Sequence, residues 1–338
     1  MDENRMTRIA AAGLLTEDTI IPLDGRPRPP QPGGAIYAAV GMAIWSESVG
    51  LISRIGEGYP QEWLEEFSRR GMDVRAIHRI SEPIDQRAFF AYTDADKCER
   101  GNPLAHFSRV GVEIPKGLIG YEPLPFSLDS KRQVGAGTLR PQEFPADWMD
   151  ATAVHLCPVD FLTHILLPPI LKENNVATIT VDPAEGYMDP AFWDDMPALL
   201  RTFNAFLCSE KKIRRLFSGR SGDLWEMAET LAGFGCPIVI IKRGSQGQYL
   251  YVHDRHERFI IPAYPVSTIL DPTGCGDAFC GGFLANYVTT YEPLEAALHG
   301  NISASLVIEG CGPFFALDSM PGLAESRLLF LREHVRKA

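Results

Sequence analysis

Apolar residues occur along this chain in short continuous runs that are separated by longer amphipathic segments. The run at 8–15 is typical of a buried strand, and further strands are predicted at 49–56 and 74–80. The segment 59–70 has apolar side chains at helical spacing and is followed by Gly71, a residue that commonly ends helices. This alternation of strand and helix predicts right-handed crossovers and a parallel sheet.

The alternation continues to the end of the chain. Further strands are predicted at 87–93, 153–158, 176–181, 205–209, 237–241 and 248–252, and further helices at 35–43, 161–174, 294–307 and 325–336. The pattern predicts an α/β fold of three layers, in which a mostly parallel central sheet carries helices on both faces. A chain of 338 residues has the length of one large α/β domain or of two smaller ones.

The segment 94–147 breaks this pattern. It contains six prolines and repeated glycines, which leave room only for short elements. A connection of this length is usually functional or mobile. The segment therefore either contributes to a lid over a ligand or forms a surface excursion that is unrelated to a ligand.

Composition and charge exclude several classes of protein. The chain is 45% hydrophobic and 22% charged, with a formal net charge of −11, which argues against a nucleic-acid scaffold. It has no apolar run of membrane-spanning length and no signal-peptide pattern, so a cytoplasmic protein without a membrane partner is expected. Seven cysteines without a Cys-x-x-Cys pair favour a reducing compartment and disfavour a structural zinc site.

The stretch 271–283 carries the strongest chemical signal. It follows an apolar run that ends at 269–270, which we interpret as a strand, and helical spacing of apolar residues begins at Ala278. Small residues between the two leave backbone N–H groups uncovered at a helix N-terminus, which is an anion site. Asp277 lies in that site, where a carboxylate could take a proton from a hydroxyl group. In the alternative interpretation, the glycines only form a tight turn and Asp277 only caps the helix.

The string Asp-Pro-Thr-Gly-Cys-Gly-Asp at 271–277 resembles the Asp-Thr-x-Gly-Ala-Gly-Asp signature of the ribokinase-type (phosphofructokinase-B) carbohydrate kinases. This resemblance implies that Asp277 is the general base and that the amides of Gly274, Cys275 and Gly276 form an anion hole for the transferred phosphoryl group. It also implies a ribokinase-like fold with a small β lid. No Walker A string and no Gly-x-Gly-x-x-Gly after the first strand are present, which disfavours P-loop kinases and Rossmann oxidoreductases.

Two further regions match the substrate side of that family. Asp18 follows the first strand at the offset where family members carry an Asp that contacts sugar hydroxyls; without the resemblance, it would be interpreted as a loop residue. Gly33 and Gly34 resemble the Gly-Gly substrate loop, where the backbone approaches the ligand closely. The chain departs from the family at Ala38, where Asn is usual. The resemblance therefore implies substrate binding by Asp18, Gly33 and Gly34.

The nucleotide side is also similar to the family. Lys242, Gly244 and Gly247 occupy the positions of a Thr-x-Gly-x-x-Gly loop, with Lys in place of the usual Thr. Asn301 lies on a small-residue helix that family members place against adenine. The resemblance therefore implies that Lys242, Gly244, Gly247 and Asn301 line an ATP site. Mg²⁺ bridges the phosphates in this scheme with few protein ligands, and a monovalent cation beside Asp271 is left open.

The strand exit at 208–212 departs from the family most clearly. Our register places Ser209 and Lys212 on the family's Asn-x-x-Glu, so a cation replaces the carboxylate that helps to hold Mg²⁺ through water. The basic residues at 211–215 either engage nucleotide phosphates or form a solvated face, and the solvated face is favoured. Asp182, at the end of the strand 176–181, is either a minor site residue or a cap for the segment 189–196.

The expected protein is thus a single ribokinase-like kinase domain over 1–338, with lid or insertion elements within about 14–32 and 85–147. It phosphorylates a primary hydroxyl of a sugar or a sugar-like substrate such as a nucleoside, and its oligomeric state, including a homodimer, stays open. The departures at Ala38, Lys212 and Lys242 support an alternative: a weak or inactive family member that binds a ligand or partner.

Overall fold

Strands and helices alternate along most of the chain, as the apolar runs predict. The computed structural model describes residues 9–123, 127–143 and 151–338, so predictions that fall on Arg8, 124–126 and 144–147 lie outside the described residues. The strands are β1 (Ile9–Ala12), β2 (Leu15–Ile21), β3 (Gln31–Gly34), β4 (Val49–Gly56), β5 (Asp73–Ile80), β6 (Arg87–Asp94), β7 (Lys97–Glu99), β8 (Ala153–Leu156), β9 (Thr178–Val181), β10 (Ala205–Ser209), β11 (Ile238–Lys242), β12 (Gln248–Val252), β13 (Glu257–Ile261) and β14 (Arg336–Lys337). The helices are α1 (Ala35–Ala43), α2 (Gln61–Arg69), α3 (Pro103–Arg109), α4 (Phe161–Glu173), α5 (Met196–Leu200), α6 (Glu210–Leu216), α7 (Leu224–Gly233), α8 (Cys275–Thr290), α9 (Pro293–Val307) and α10 (Leu323–Arg332).

The main sheet has the strand order β14-β13-β12-β11-β10-β9-β8-β1-β4-β5. In this order, every neighbouring pair between β11 and β5 is parallel. The strands β12, β13 and β14 continue the sheet beyond β11 in antiparallel pairs. The predicted mostly parallel central sheet is therefore confirmed. Because parallel strands end at a common edge, the carboxyl ends of β8 to β11 present their following residues to one side of the molecule.

The two faces of the sheet belong to two separate hydrophobic cores. On β1, Ile9 and Ala11 point into the core that includes α1, α8 and α9, whereas Ala10 and Ala12 point into the core that includes α4, α5 and α7. This alternation explains why β1 is apolar at every position. Helices cover both faces, as the predicted three-layer architecture requires.

The first apolar run differs from its predicted form, because it ends at Ala12 instead of continuing to residue 15. A Cβ on Gly13 would lie 2.5 Å from the Cβ of Cys157, so the backbone leaves the sheet where only glycine fits. The chain resumes as β2, which belongs to a second sheet. Asp18 consequently lies on a strand and not in a loop.

The strand predicted to end at 269–270 is also wrong. The amides of Leu270 and Asp271 both donate to the carbonyl of Ile308, at 2.9 and 3.2 Å, and thereby fasten an irregular segment to the end of α9. The following helix begins at Cys275, three residues earlier than the apolar spacing predicts. This earlier start places Asp277 inside the first helical turn.

A second sheet of four strands, in the order β3-β2-β6-β7, lies outside the main sheet. Its strands β2, β6 and β7 fall within the two segments that the sequence assigns to a lid or insertion. Ile21, Phe89, Phe107 and Leu118 form a small core between this sheet and α3. All seven cysteines are free thiols. Of the helices described, none has both the length and the apolar character to cross a membrane.

Candidate active site

The N-terminus of α8 is the centre of the candidate site. Gly274, the residue before the helix, has a φ of 74°, a left-handed conformation that glycine adopts without strain. Asp271 holds the preceding turn, because its Oδ1 accepts from the amide of Thr273 at 3.0 Å. The helix therefore starts at a fixed place directly beyond the edge of the main sheet.

The first amides of this helix are largely unpaired. Within the part of the chain that the structure describes, the N–H groups of Gly274, Gly276 and Asp277 have no hydrogen-bond partner. The Cys275 amide donates to the carbonyl of Pro272 in a long bond of 3.3 Å, and the Ala278 amide closes the first helical turn. Three free donors at a helix N-terminus are suited to an anion.

Close contacts fix the position of this helix against α1. A Cβ on Gly274 would lie 2.0 Å from the ring of Tyr37, and Cβ atoms on Gly41 and Gly281 would lie 2.1 and 1.9 Å from backbone carbonyls of the opposite helix. The two helices thus meet backbone to backbone. The small-residue character of α1, predicted at 35–43 and found there, serves this contact.

Asp277 projects from the first turn as a half-buried side chain without a hydrogen-bond partner among the described residues. Burial raises the pKa of Asp277 to about 6, and the negative charge of Asp182 adds to the rise. The positive charges of Lys242, Lys212 and Arg100 oppose it. The carboxyl group is therefore largely ionised at neutral pH. Because its pKa is close to that pH, it can act as a base.

Two lysines meet at Asp182, directly beyond the end of β9. The Nζ of Lys212, on α6, donates to Oδ1 of Asp182 at 2.7 Å, and the Nζ of Lys242, at the end of β11, donates to Oδ2 at 2.6 Å. Burial alone would raise the pKa of Asp182, but the two ammonium groups outweigh it and hold that pKa at about 2. We call these three residues the lysine–aspartate cluster.

The cluster resolves two alternatives that the sequence leaves open. Asp189, and not Asp182, caps the turn that follows it, because its Oδ1 accepts from the amide of Ala191 at 3.1 Å. On the basic helix, Lys211 is exposed and pairs with Glu185, whereas Lys212 points inward. The favoured interpretation of the basic helix as a solvated face is therefore wrong for Lys212.

The predicted substrate residues come together on the second sheet. Asp18 is buried on β2, and its Oδ1 accepts from the hydroxyl of Thr16 at 2.6 Å. A Cβ on Gly33 would lie 1.9 Å from Oδ2 of Asp18, so the carboxyl group occupies the space of a missing side chain. Gly34, with a φ of 70°, turns the chain from β3 into α1. The three predicted residues are therefore adjacent on paired strands, and Asp18 itself is only 1% exposed.

Burial raises the pKa of Asp18 to about 7, and the negative charges of Asp271 and Asp277 add to the rise against the hydrogen bond from Thr16. The hydroxyls of Tyr37 and Tyr59 are also buried, and neither has a partner among the residues described. Sequence patterns gave no signal for these tyrosines, because each occupies a position where an apolar residue would fit the pattern equally well.

A cavity of about 550 Å³ opens beside the N-terminus of α8. Of the predicted nucleotide residues, Lys242, Gly244 and Asn301 line it, together with apolar side chains such as Phe279. Gly247 does not line the cavity; it makes the turn beneath it, with a φ of 82° and a Cβ position only 2.0 Å from the Ile261 carbonyl. The cavity has the size of a small-molecule site.

Asn301 contributes to this cavity through its position. Its Nδ2 donates to Gln248 Oε1 at 2.7 Å and to the Pro262 carbonyl at 2.8 Å, and its Oδ1 accepts from the Tyr264 amide at 3.0 Å. Both donors and one lone pair are thus used within the protein. The side chain holds the cavity wall and leaves little capacity for a ligand.

Contacts from the second sheet to the cavity were missed by the sequence analysis. At the β6–β7 turn, the carboxylate of Asp96 accepts from the amide and the hydroxyl of Ser245, at 3.2 and 2.6 Å. On β6, the hydroxyl of Tyr92 accepts from that of Thr273 at 3.0 Å. The sequence Asp94-Ala-Asp-Lys between two β-prone pairs is a turn signal that could have located this hairpin.

Comparison with known proteins identifies the family. Residues 136–319 match the sequence model of the pfkB family of carbohydrate kinases. The cytidine kinase of Thermococcus kodakarensis is 28% identical over 296 residues, which is 86% of this chain and 91% of that protein. Among solved structures, a candidate Ribokinase II of E. coli in complex with ATP and Mg²⁺ has a TM-score of 0.68 at 20% identity, over 97% of this chain and 100% of that chain.

The nucleoside kinase of Methanocaldococcus jannaschii, described as an archaeal member of the ribokinase family, has a TM-score of 0.66 at 17% identity, over 97% of this chain and 99% of that chain. At such identities the two structures establish a ribokinase-like fold, as the sequence predicts. The family match covers more than half of the chain and includes α8 with its unpaired amides and Asp277. The chain belongs to the pfkB family of carbohydrate kinases and is a phosphotransferase.

Proposed function

We propose that the protein transfers the γ-phosphoryl group of ATP to a primary hydroxyl of a sugar-like acceptor, with a nucleoside as the first candidate. The observation that carries this proposal is the N-terminus of α8, where the half-buried carboxylate of Asp277 and the unpaired amides of Gly274 and Gly276 lie within one helical turn. A base and an anion hole at one place are what a phosphoryl transfer to an alcohol requires.

Asp277 accepts the proton of the attacking hydroxyl as the new P–O bond forms and the bond to the leaving phosphate breaks. Its pKa of about 6 keeps it ionised at neutral pH, so it is ready to accept. The amides of Gly274 and Gly276, with that of Cys275 if its long bond opens, stabilise the charge on the transferred group. Removal of one such donor typically costs about 10²–10³ in rate.

The acceptor lies against the second sheet, where Asp18 receives hydrogen bonds from its hydroxyl groups and Gly33 and Gly34 allow close approach. A nucleoside is favoured because the relative from T. kodakarensis is a cytidine kinase and spans most of this chain. The whole of 1–338 acts as one kinase domain. Segments 14–32 and 85–147 contribute the lid, and the Asp96–Ser245 contact closes it over the donor.

ATP occupies the cavity beside α8, with its phosphates toward Gly276 and Lys242. Mg²⁺ would be held by the phosphates of ATP; the E. coli protein was solved with both. The donors among the described residues do not fit a divalent cation held by the protein itself. Both oxygens of Asp182 are occupied by lysines, and the described residues contain no group of three or more His, Cys, Asp or Glu that could hold a metal.

The proposal is tested by measuring ATP consumption with Mg²⁺ across a panel of nucleosides and sugars. We expect turnover by the unaltered chain and a loss of about 10²–10⁴ in kcat for Asp277→Asn, because the base is lost while the shape is kept. Asp254→Asn, an exposed acid in the β12–β13 turn, is the matched control and keeps full activity. ATP binding without turnover across the panel would instead identify an inactive family member.

A further inference from the structure

The lysine–aspartate cluster carries more positive than negative charge. Two ammonium groups share one carboxylate, and the side chains of Lys212, Asp182 and Lys242 are only 13, 6 and 11% exposed. A net charge of this kind in a largely buried place is costly unless a counter-ion is present. Asp277 adds a negative charge that acts on both lysines but makes no hydrogen bond to either of them among the described residues, so an anion can still bind them directly.

The hydrogen-bonding capacity of the lysines is also incompletely used. An ammonium group has three donors. Lys212 makes one bond, to Asp182, within the described residues, and Lys242 makes two to oxygen atoms and a third to the sulfur of Cys280, a weak acceptor, at 3.2 Å. Lys212 can therefore take a further oxygen ligand without breaking its bond, whereas Lys242 would exchange its weak contact with the sulfur of Cys280 for an oxygen ligand.

Lys242, one of the two lysines of the cluster, faces the same cavity as the free amide of Gly276. The Nζ of Lys242 lies 3.0 Å from the carbonyl oxygen of Gly276, whose amide is unpaired, and Lys242 and Gly276 both line the cavity of about 550 Å³. Fixed positive charge and bare N–H groups thus meet at one point. An anion with several oxygen atoms satisfies both, whereas a metal ion would be repelled.

We propose that Lys212 and Lys242, held apart by Asp182, bind the terminal phosphates of the nucleotide and supply within the protein the positive charge that stabilises them. Binding of the nucleotide consequently does not depend on a divalent cation. This inference rests on the proposed function, in that it takes ATP to be the donor. In this proposal the two lysines contact the phosphates, and Asp182 only positions the lysines.

The test measures the affinity for ATP and for adenosine by calorimetry, in EDTA and then with Mg²⁺. In EDTA, the unaltered chain should bind ATP at least tenfold more tightly than adenosine. Lys242→Met and Lys212→Met should each weaken metal-free ATP binding by about 10- to 100-fold, since each removes a charge-assisted bond. The loss should be smaller with Mg²⁺, and adenosine affinity should not change. Lys242→Arg should restore most of it.

Lys211→Met is the matched control, because it removes the same charge from the neighbouring, exposed position of α6 and should leave every affinity unchanged. Each Met variant should fold, since the remaining lysine still neutralises Asp182; thermal melting checks this. Equal affinities for metal-free ATP and adenosine in the unaltered chain, or variants that bind metal-free ATP as it does, overturn the inference even if Mg²⁺-dependent turnover is normal. A chain that binds neither ATP nor adenosine refutes the proposed function as well.

Discussion

The proposed phosphate side and the proposed acceptor side of the site differ in the charges that they carry. On the phosphate side, Lys212 and Lys242 bracket Asp182, and helix amides add partial positive charge, so the side is built for anions. On the acceptor side, Asp18 is buried with a raised pKa, beside the unpaired hydroxyls of Tyr37 and Tyr59. The first side suits a phosphate-bearing ligand such as a nucleotide. The second suits neutral hydroxyl groups, and under the proposed function it selects the acceptor.

The largest effect on this contrast is expected from Gly276→Ala on the phosphate side. A Cβ there meets only Lys242 Nζ, at 3.5 Å, which is an ordinary contact, so the folded chain accepts it. The methyl group occupies the space through which a phosphate reaches the amides. We expect kcat/KM to fall on the order of 10²-fold or more, with the melting temperature unchanged or slightly raised.

Gly274→Ala is the companion variant, because it changes a glycine only two residues away that serves the fold. Its φ of 74° and a Cβ position 2.0 Å from the Tyr37 ring predict a loss of at least about 1–3 kcal/mol of stability. Denaturant unfolding measures this difference. If the two variants lose stability equally, Gly276 has a packing role that the structure does not show.

On the acceptor side, Asp18→Asn should raise KM for the acceptor about tenfold, because hydrogen bonds to a charged oxygen are lost, while kcat changes little. The KM of the unaltered enzyme should fall as pH rises through 7, where Asp18 ionises, and that of the variant should not. A steady-state pH series measures both. A variant whose kcat collapses with unchanged KM would place Asp18 in the chemistry instead of in binding.

The same variant has a stability signature. Folding raises the pKa of Asp18 from 3.8 to about 7, so the folded chain keeps a proton that the unfolded chain releases in this window. Stability therefore declines as pH rises from about 4 to about 7, by at most about 4 kcal/mol. Asp18→Asn should be the more stable chain above pH 7, and the two should match below pH 4.

The smallest effect is expected where the second sheet touches the nucleotide loop. Asp96→Ala removes two exposed hydrogen bonds to Ser245 and should raise KM for ATP only about two- to fivefold. Ser245→Ala should have a similar or smaller effect, and the double variant should be no worse than Asp96→Ala. Additive effects in this cycle would show that the two residues act independently.

Local patterns predicted much of the fold because they report on local forces. The boundaries of α1 and β4 agree with the prediction, because the small residues after Gly34 favour a packed helix and the apolar residues at 49–52 favour a strand. The strand expected at 269–270 failed because its apolar residues are fastened to Ile308, some 40 residues later in the chain. Hydrophobicity alone does not distinguish such a segment from a strand.

The candidate site also has a part that local sequence predicts and a part that it does not. Asp277, Gly274 and Gly276 are close in sequence, and their spacing on a loop and helix was enough to predict an anion site beside a carboxylate. Lys212 and Lys242 are 30 and 60 residues from Asp182 in the sequence. Lys212 lies on α6, after β10, and Lys242 lies at the end of β11. Their meeting depends on the order of strands in the sheet, which the sequence does not state.

By itself, then, the sequence determined the alternating elements, the glycine-lined start of α8 and the acid within it, because each is encoded by residues a few positions apart. The tertiary structure alone decided which way Lys212 points, which hydroxyls stay unpaired around Asp18, and that Asp96 reaches Ser245 across 149 residues. These contacts arise from the packing of distant segments, where the charge of a side chain depends on what folding places beside it.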